Sequence, residues 1–124
     1  MERISEHISY KESIKSNTAT RLNINNIPDG YQTANMVGVA RNVFEPLREY
    51  VGGPIKITSM FRCEKLNSVL GGSSRSQHCE GRAIDLDDTF GHKTNAEMYE
   101  FIKNNLNFDR LIWEFGDEIN PDWI

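Results

Sequence analysis

No run of this sequence approaches the roughly 20 consecutive apolar residues of a membrane-spanning helix. The opening MERISEHISYKESIKS has no apolar centre like that of a secretory signal, so synthesis and folding in the cytoplasm are expected. Clustered Lys and Arg, which phosphate contacts require, are also absent. The 14 basic residues are scattered among 18 acidic ones, the net charge is −4, and nucleic-acid binding is not expected as the main task. Cysteine is scarce: Cys63 and Cys79 do not make a disulfide framework, and their spacing is not that of a CxxC zinc knuckle. Reduced thiols are the expectation. There is no internal repeat and no low-complexity tract. A chain of 124 residues with 38% hydrophobic content has enough for one packed core, so residues 1–124 are read as a single domain.

Local patterns give the element order. Ser9 with Glu12 is a capping-box pattern for a short helix near 10–16. Residues 17–30, rich in Asn and Thr and ending in Pro28-Asp29-Gly30, read as a loop with a turn. Met36, Ala40, Val43, Leu47 and Tyr50 recur at helical steps and predict a long helix over about 33–50, bent or tightened by Pro46. Ile55 to Ser59 alternates as a strand, and Glu64 to Leu70 is a short helix stopped by Gly71-Gly72. A polar loop, Ser73 to Gln77, leads to a strand over 82–87 in which Ile84 and Leu86 face one side while Ala83, Asp85 and Asp87 face the other. Thr94 with Glu97 starts a helix carrying Met98, Phe101, Ile102 and Leu106. Arg110 to Phe115 reads as a strand, and Trp123-Ile124 as the start of one more. The fold expected is α+β: a small, mainly antiparallel sheet, helices on one face and the polar site on the other.

The chemistry is concentrated in Ser76-Gln77-His78-Cys79-Glu80-Gly81-Arg82-Ala83-Ile84-Asp85. Imidazole and carboxylate both bind zinc, and Gly81 allows the chain to turn so that His78 and Asp85 reach one point. The same spacing also fits a surface histidine and a strand carboxylate that never meet. Asp87 shares a face with Asp85, where it either orients a ligand or meets solvent. His92, in Phe90-Gly91-His92-Lys93, reads as exposed.

Four segments carry a resemblance to the zinc D-Ala-D-Ala carboxypeptidases of peptidase family M15, especially their short phage and bacterial branch. They are Ile57-Thr58-Ser59-Met60-Phe61-Arg62, Leu66-Asn67 with Gly71-Gly72-Ser73, Ser76-Gln77-His78 through Asp85, and Leu111-Ile112-Trp113-Glu114-Phe115. Ser16-Asn17-Thr18-Ala19 and Glu45-Pro46-Leu47-Arg48 extend the likeness over nearly the whole chain. The Ser-x-His-x₆-Asp element is its specific part.

The resemblance implies a D-Ala-D-Ala carboxypeptidase or hedgehog-like fold with a zinc cleft, and Zn²⁺ held by His78 and Asp85. It implies Arg62 as support for the substrate carbonyl or oxyanion, with a surface ion pair as the alternative. Ser76 and Gln77 lie near the substrate, and Asp122 is the general base. His7 and His92 match no ligand position. Glu114 and Glu118 are rival bases at the wrong offset. The third ligand is expected in a late Asp/Glu-x-x-His element, of which Asp122-Trp123-Ile124 supplies the first three positions. The expectation is therefore a domain truncated at its C-terminus.

The implied activity is hydrolysis of peptidoglycan stem peptides at a D-Ala-D-Ala or L-Ala-D-Glu bond, acting at the cell wall as a phage lysis enzyme does, with no membrane or nucleic-acid partner. A second reading is a catalytically inactive relative that binds wall peptide or a protein partner. A third, a thiol hydrolase using Cys63 or Cys79 with His78, suffers from having no evident partner to orient the thiol.

Overall fold

The computed structural model describes residues 2–73, 76–106, 111–112 and 124. The fold is α+β, with helices and two small antiparallel sheets. A hairpin opens the chain: β1 (Arg3–Ser5) pairs with β2 (Ile8–Ser9) and buries Ile4 and Ile8. Ser9 then caps α1 (Tyr10–Ile14) through the expected capping box with Glu12. The 17–30 stretch is not all loop. Ser16 accepts the Ala19 N–H and starts α2 (Asn17–Leu22), which closes at Asn23 in a left-handed conformation. Asp29 likewise begins a helix, in a capping box with Gln32.

The long helix is α3 (Gly30–Val39), a π-helical stretch (Ala40–Phe44) and α4 (Glu45–Val51). Pro46 explains the middle part. Its missing N–H and its ring clash with the carbonyl four residues back disfavour an α turn there. The helix widens instead of tightening, and the Glu45 N–H reaches the Ala40 carbonyl. A wide turn holds more than the 3.6 residues of an α turn. Phe44 rather than Val43 therefore continues the stripe below Ala40, and Met36, Ala40, Phe44, Leu47 and Val51 are buried while Tyr50 is exposed.

The sheet that carries the site pairs β3 (Lys56–Ser59) with β4 (Asp85–Asp87). Ile57 faces Leu86 and Ser59 faces Asp85, so Thr58 is an extra residue on β3, a bulge opposite the start of β4. The strand expected over 82–87 is only Asp85–Asp87, since β3 gives residues 82–84 no partner. On its other side Leu86 exchanges both backbone hydrogen bonds with Ile124, at 2.7 and 3.0 Å, the pattern of an antiparallel pair. Leu86 and Ile124 are both buried, and burying such a side chain stabilises by roughly 1.5–3 kcal/mol.

Two more helices complete the described chain. These are α5 (Glu64–Val69) and α6 (Asn95–Asn105), the latter with the Thr94–Glu97 capping box and with Met98 and Ile102 in the core. The strand expected over 110–115 lies outside the described residues except for Leu111 and Ile112. Among the described residues no helix is long and apolar enough to cross a membrane.

Candidate metal centre

His78 stands in a 3-10 turn (Gln77–Glu80), not in an open loop, and is 7% exposed. The turn is fixed from several sides. Ser76 Oγ accepts the His78 N–H at 3.2 Å. From α3, Gln32 Nε2 donates to the Cys79 carbonyl at 3.0 Å and Asn35 Nδ2 to the Glu80 carbonyl at 2.9 Å. Gly81 ends the turn at φ +77°, where a Cβ would overlap the Gln32 carbonyl oxygen. Glycine is needed there both for the left-handed backbone and for the close approach to α3.

The ring of His78 is oriented by backbone. Its Nδ1 lies 2.6 Å from the Met60 carbonyl oxygen, which can only accept, so Nδ1 carries the proton. In the neutral ring Nε2 then bears a lone pair, and it faces Asp85 Oδ1 at 3.3 Å. Two acceptors this close repel unless a positive centre lies between them, either a proton or a metal cation. Among the described residues the Asp85 carboxylate has no other hydrogen bond, and its side chain is 29% exposed.

This donor set fits zinc. Two ligand atoms each ~2.1 Å from one tetrahedral ion lie about 3.4 Å apart, close to the observed 3.3 Å. A zinc-binding histidine typically gives its other N–H to a carbonyl or carboxylate, as His78 does to Met60. His78 and Asp85, which sequence spacing alone left undecided, are brought together.

Arg62 borders the same turn. Its N–H bonds to the His78 carbonyl at 3.3 Å. Its Nε is buried with no hydrogen-bond partner among the described residues. A buried donor of this kind is costly unless it finds an acceptor. Ser76 is occupied in capping the turn, and Gln77 is exposed on it. Asp122, Glu114 and Glu118 lie outside the described residues.

Asp87 is drawn away from the pair. Partial burial works against its ionisation, but hydrogen bonds from Asn95 and Thr89 outweigh this and hold its carboxyl below the usual range. Its partners are Asn95, the first residue of α6, and Thr89 in the loop before it, not His78. Burial pushes the Cys79 thiol up, although Arg62 pulls the other way. An activated thiol needs the opposite shift, which counts against the thiol hydrolase. His92 is exposed, with its ring against Gly53.

Among the described residues one group of three metal-ligating side chains forms elsewhere, Glu6, His7 and Glu45. Glu45 there already accepts from Ser5 Oγ at 2.5 Å, from the His7 N–H at 2.9 Å and from His7 Nδ1 at 2.5 Å. This is a latch joining the β1–β2 turn to α4. Sequence reasoning did not find it, nor the Met60 carbonyl, whose role is not encoded in its side chain.

Residues 6–119 match the family described as Peptidase M15, and the chain belongs to that family. M15 peptidases are generally zinc-dependent. Comparison with curated proteins and with solved structures gives no match.

Proposed function

We propose that this chain is a zinc metallopeptidase that hydrolyses peptidoglycan stem peptides at the cell wall, at a D-Ala-D-Ala or L-Ala-D-Glu bond. One observation carries the reading: His78 Nε2 and Asp85 Oδ1 converge at 3.3 Å while the Met60 carbonyl keeps the His78 proton on the far nitrogen. When bound, zinc supplies a Lewis acid for the scissile carbonyl and lowers the pKa of the attacking water. His78 and Asp85 hold it. The Arg62 guanidinium steadies the carbonyl oxygen as negative charge develops on it. Asp122, by its place in the family pattern, takes the water proton and returns it to the leaving amine.

The test follows from the register of β4. Opposite residues of an antiparallel pair share a face. With Ile124 opposite Leu86, a residue added after Ile124 and continuing the same ladder would stand opposite Asp85. The 124-residue chain and a chain lengthened by a histidine and a few strand-forming residues are titrated with zinc. The longer chain binds at least ~10–100-fold more tightly and cleaves a stem peptide, whereas the shorter one binds weakly. Equal affinities in the two chains overturn the reading, and a wall-peptide-binding relative without turnover then leads.

A further inference from the structure

We infer that Asn26 is a positioning residue for the site: its side-chain amide sets the path of the 60–63 backbone, and through it both the His78 ring and Arg62. The inference rests on the reading of His78 as a metal ligand and Arg62 as oxyanion support.

Asn26 lies in the irregular stretch between α2 and α3, yet it is only 6% exposed. A buried amide is tolerated when its polar atoms are bonded. Here both ends are in use. Nδ2 donates to the Ile14 carbonyl at 2.8 Å and to the Phe61 carbonyl at 3.0 Å. Oδ1 accepts the Cys63 N–H at 2.7 Å. The bonds to Phe61 and Cys63 bracket Arg62. The amide replaces the neighbouring strand that this segment loses once β3 ends at Ser59.

The rest of the segment is held by backbone. The Phe61 N–H goes to the Ser13 carbonyl at 2.9 Å and the Arg62 N–H to the His78 carbonyl at 3.3 Å. The Met60 carbonyl accepts the hydrogen bond of the His78 Nδ1–H. Asn26 is therefore the side chain among the described residues on which this path depends. Freeing it loosens Met60, and with it the tautomer of His78, and at the same time the bracket around Arg62. A group that merely filled space would not link these two.

The experiment compares the metal-free 124-residue chain with Asn26→Ala, Asn26→Ser and, as a control for general destabilisation, Ile102→Ala in the α6 core. Nitrogen-15 NMR of histidine reads the tautomer of His78 and the exchange of its Nδ1 proton with water, and chemical denaturation reads stability. In Asn26→Ala that exchange is at least about tenfold faster than in Ile102→Ala compared at matched stability, and zinc binding weakens by ~10-fold or more. Asn26→Ser, whose short hydroxyl cannot span both carbonyls and the Cys63 N–H, moves the same way by less and serves if the alanine variant does not fold. Exchange that tracks stability alike in the Asn26 and Ile102 variants overturns the inference. Failure of the wild-type and lengthened chains to bind zinc sinks the metal reading instead, and the NMR comparison still decides the role of Asn26.

Discussion

The chain holds two histidine–carboxylate pairs that differ in what their partners leave free. At His7–Glu45 the ring nitrogen meets the carboxylate at 2.5 Å, and Ser5 and the His7 N–H complete that carboxylate's shell. That carboxylate already has three donors, and the pair joins the hairpin to α4. At His78–Asp85 the Nδ1–H donates to the Met60 carbonyl, and Nε2 is left facing Asp85 Oδ1 at 3.3 Å. The Glu45 carboxylate is hydrogen-bonded by three donors, whereas among the described residues the Asp85 carboxylate meets only the His78 ring. Residue types alone do not distinguish them; the direction of the ring and the number of donors around the carboxylate do.

The largest expected effect breaks the comparison if it fails. In the lengthened chain, His78→Ala or Asp85→Ala weakens zinc binding by at least ~10–100-fold. His7→Ala and Glu45→Gln, which share no hydrogen-bond partner with His78 or Asp85, leave it within about twofold. Competition with a chelator of known affinity measures all four, and equal losses on both sides would erase the distinction. A second, smaller effect concerns the turns. Gly81→Ala costs more than the ~1–2 kcal/mol of a left-handed non-glycine residue, because its Cβ also meets the Gln32 carbonyl. Gly52→Ala after α4, at φ +75° with nothing within 4 Å of the new atom, costs about 1–2 kcal/mol only. Urea unfolding of both variants reads the difference.

The smallest effect is that of Glu45→Gln on stability, on the order of 1 kcal/mol at neutral pH. Partial burial opposes the charge on Glu45, but hydrogen bonds from Ser5 and His7 outweigh it and lower its pKa from 4.5. A depressed folded pKa means stability that is fully present above the unfolded value and is lost as pH falls through the folded one. The gap between wild type and variant should therefore stay constant above about pH 4.5 and close below it. A gap that widens in acid would contradict the latch.

What was legible in the sequence was local. The Ser9–Glu12 and Thr94–Glu97 capping boxes fall where their spacing put them. The stripe of α3 and α4 was visible because burial repeats at helical steps, though the π turn moved it from Val43 to Phe44. His78 and Asp85 were singled out as candidates because a glycine turn between two ligand types is a short-range signal, and the structure brings their side chains together. The Ser16 cap of α2 and the Asp29–Gln32 box were also written in the chain, but Asn, Thr and the Pro28-Asp29-Gly30 turn masked them. The β1–β2 hairpin is too short to show an alternation. Asn26 and the Met60 carbonyl act across long sequence separations, through an amide and a backbone oxygen, and no spacing rule reports them.

Leu86 has one partner from well before it, Ile57, and one from residue 124. Contacts between distant residues form late, because the intervening loop must first be closed. Without residue 124, among the described residues β4 would present an edge with unpaired backbone groups, open to pairing with another chain. Asp85 rides on that edge. A partly unfolded chain in which residue 124 is undocked would thus carry the Asp85 strand unprotected, and self-association is expected to compete with refolding. Dilute, slow refolding should therefore recover more correctly folded protein than concentrated, rapid refolding.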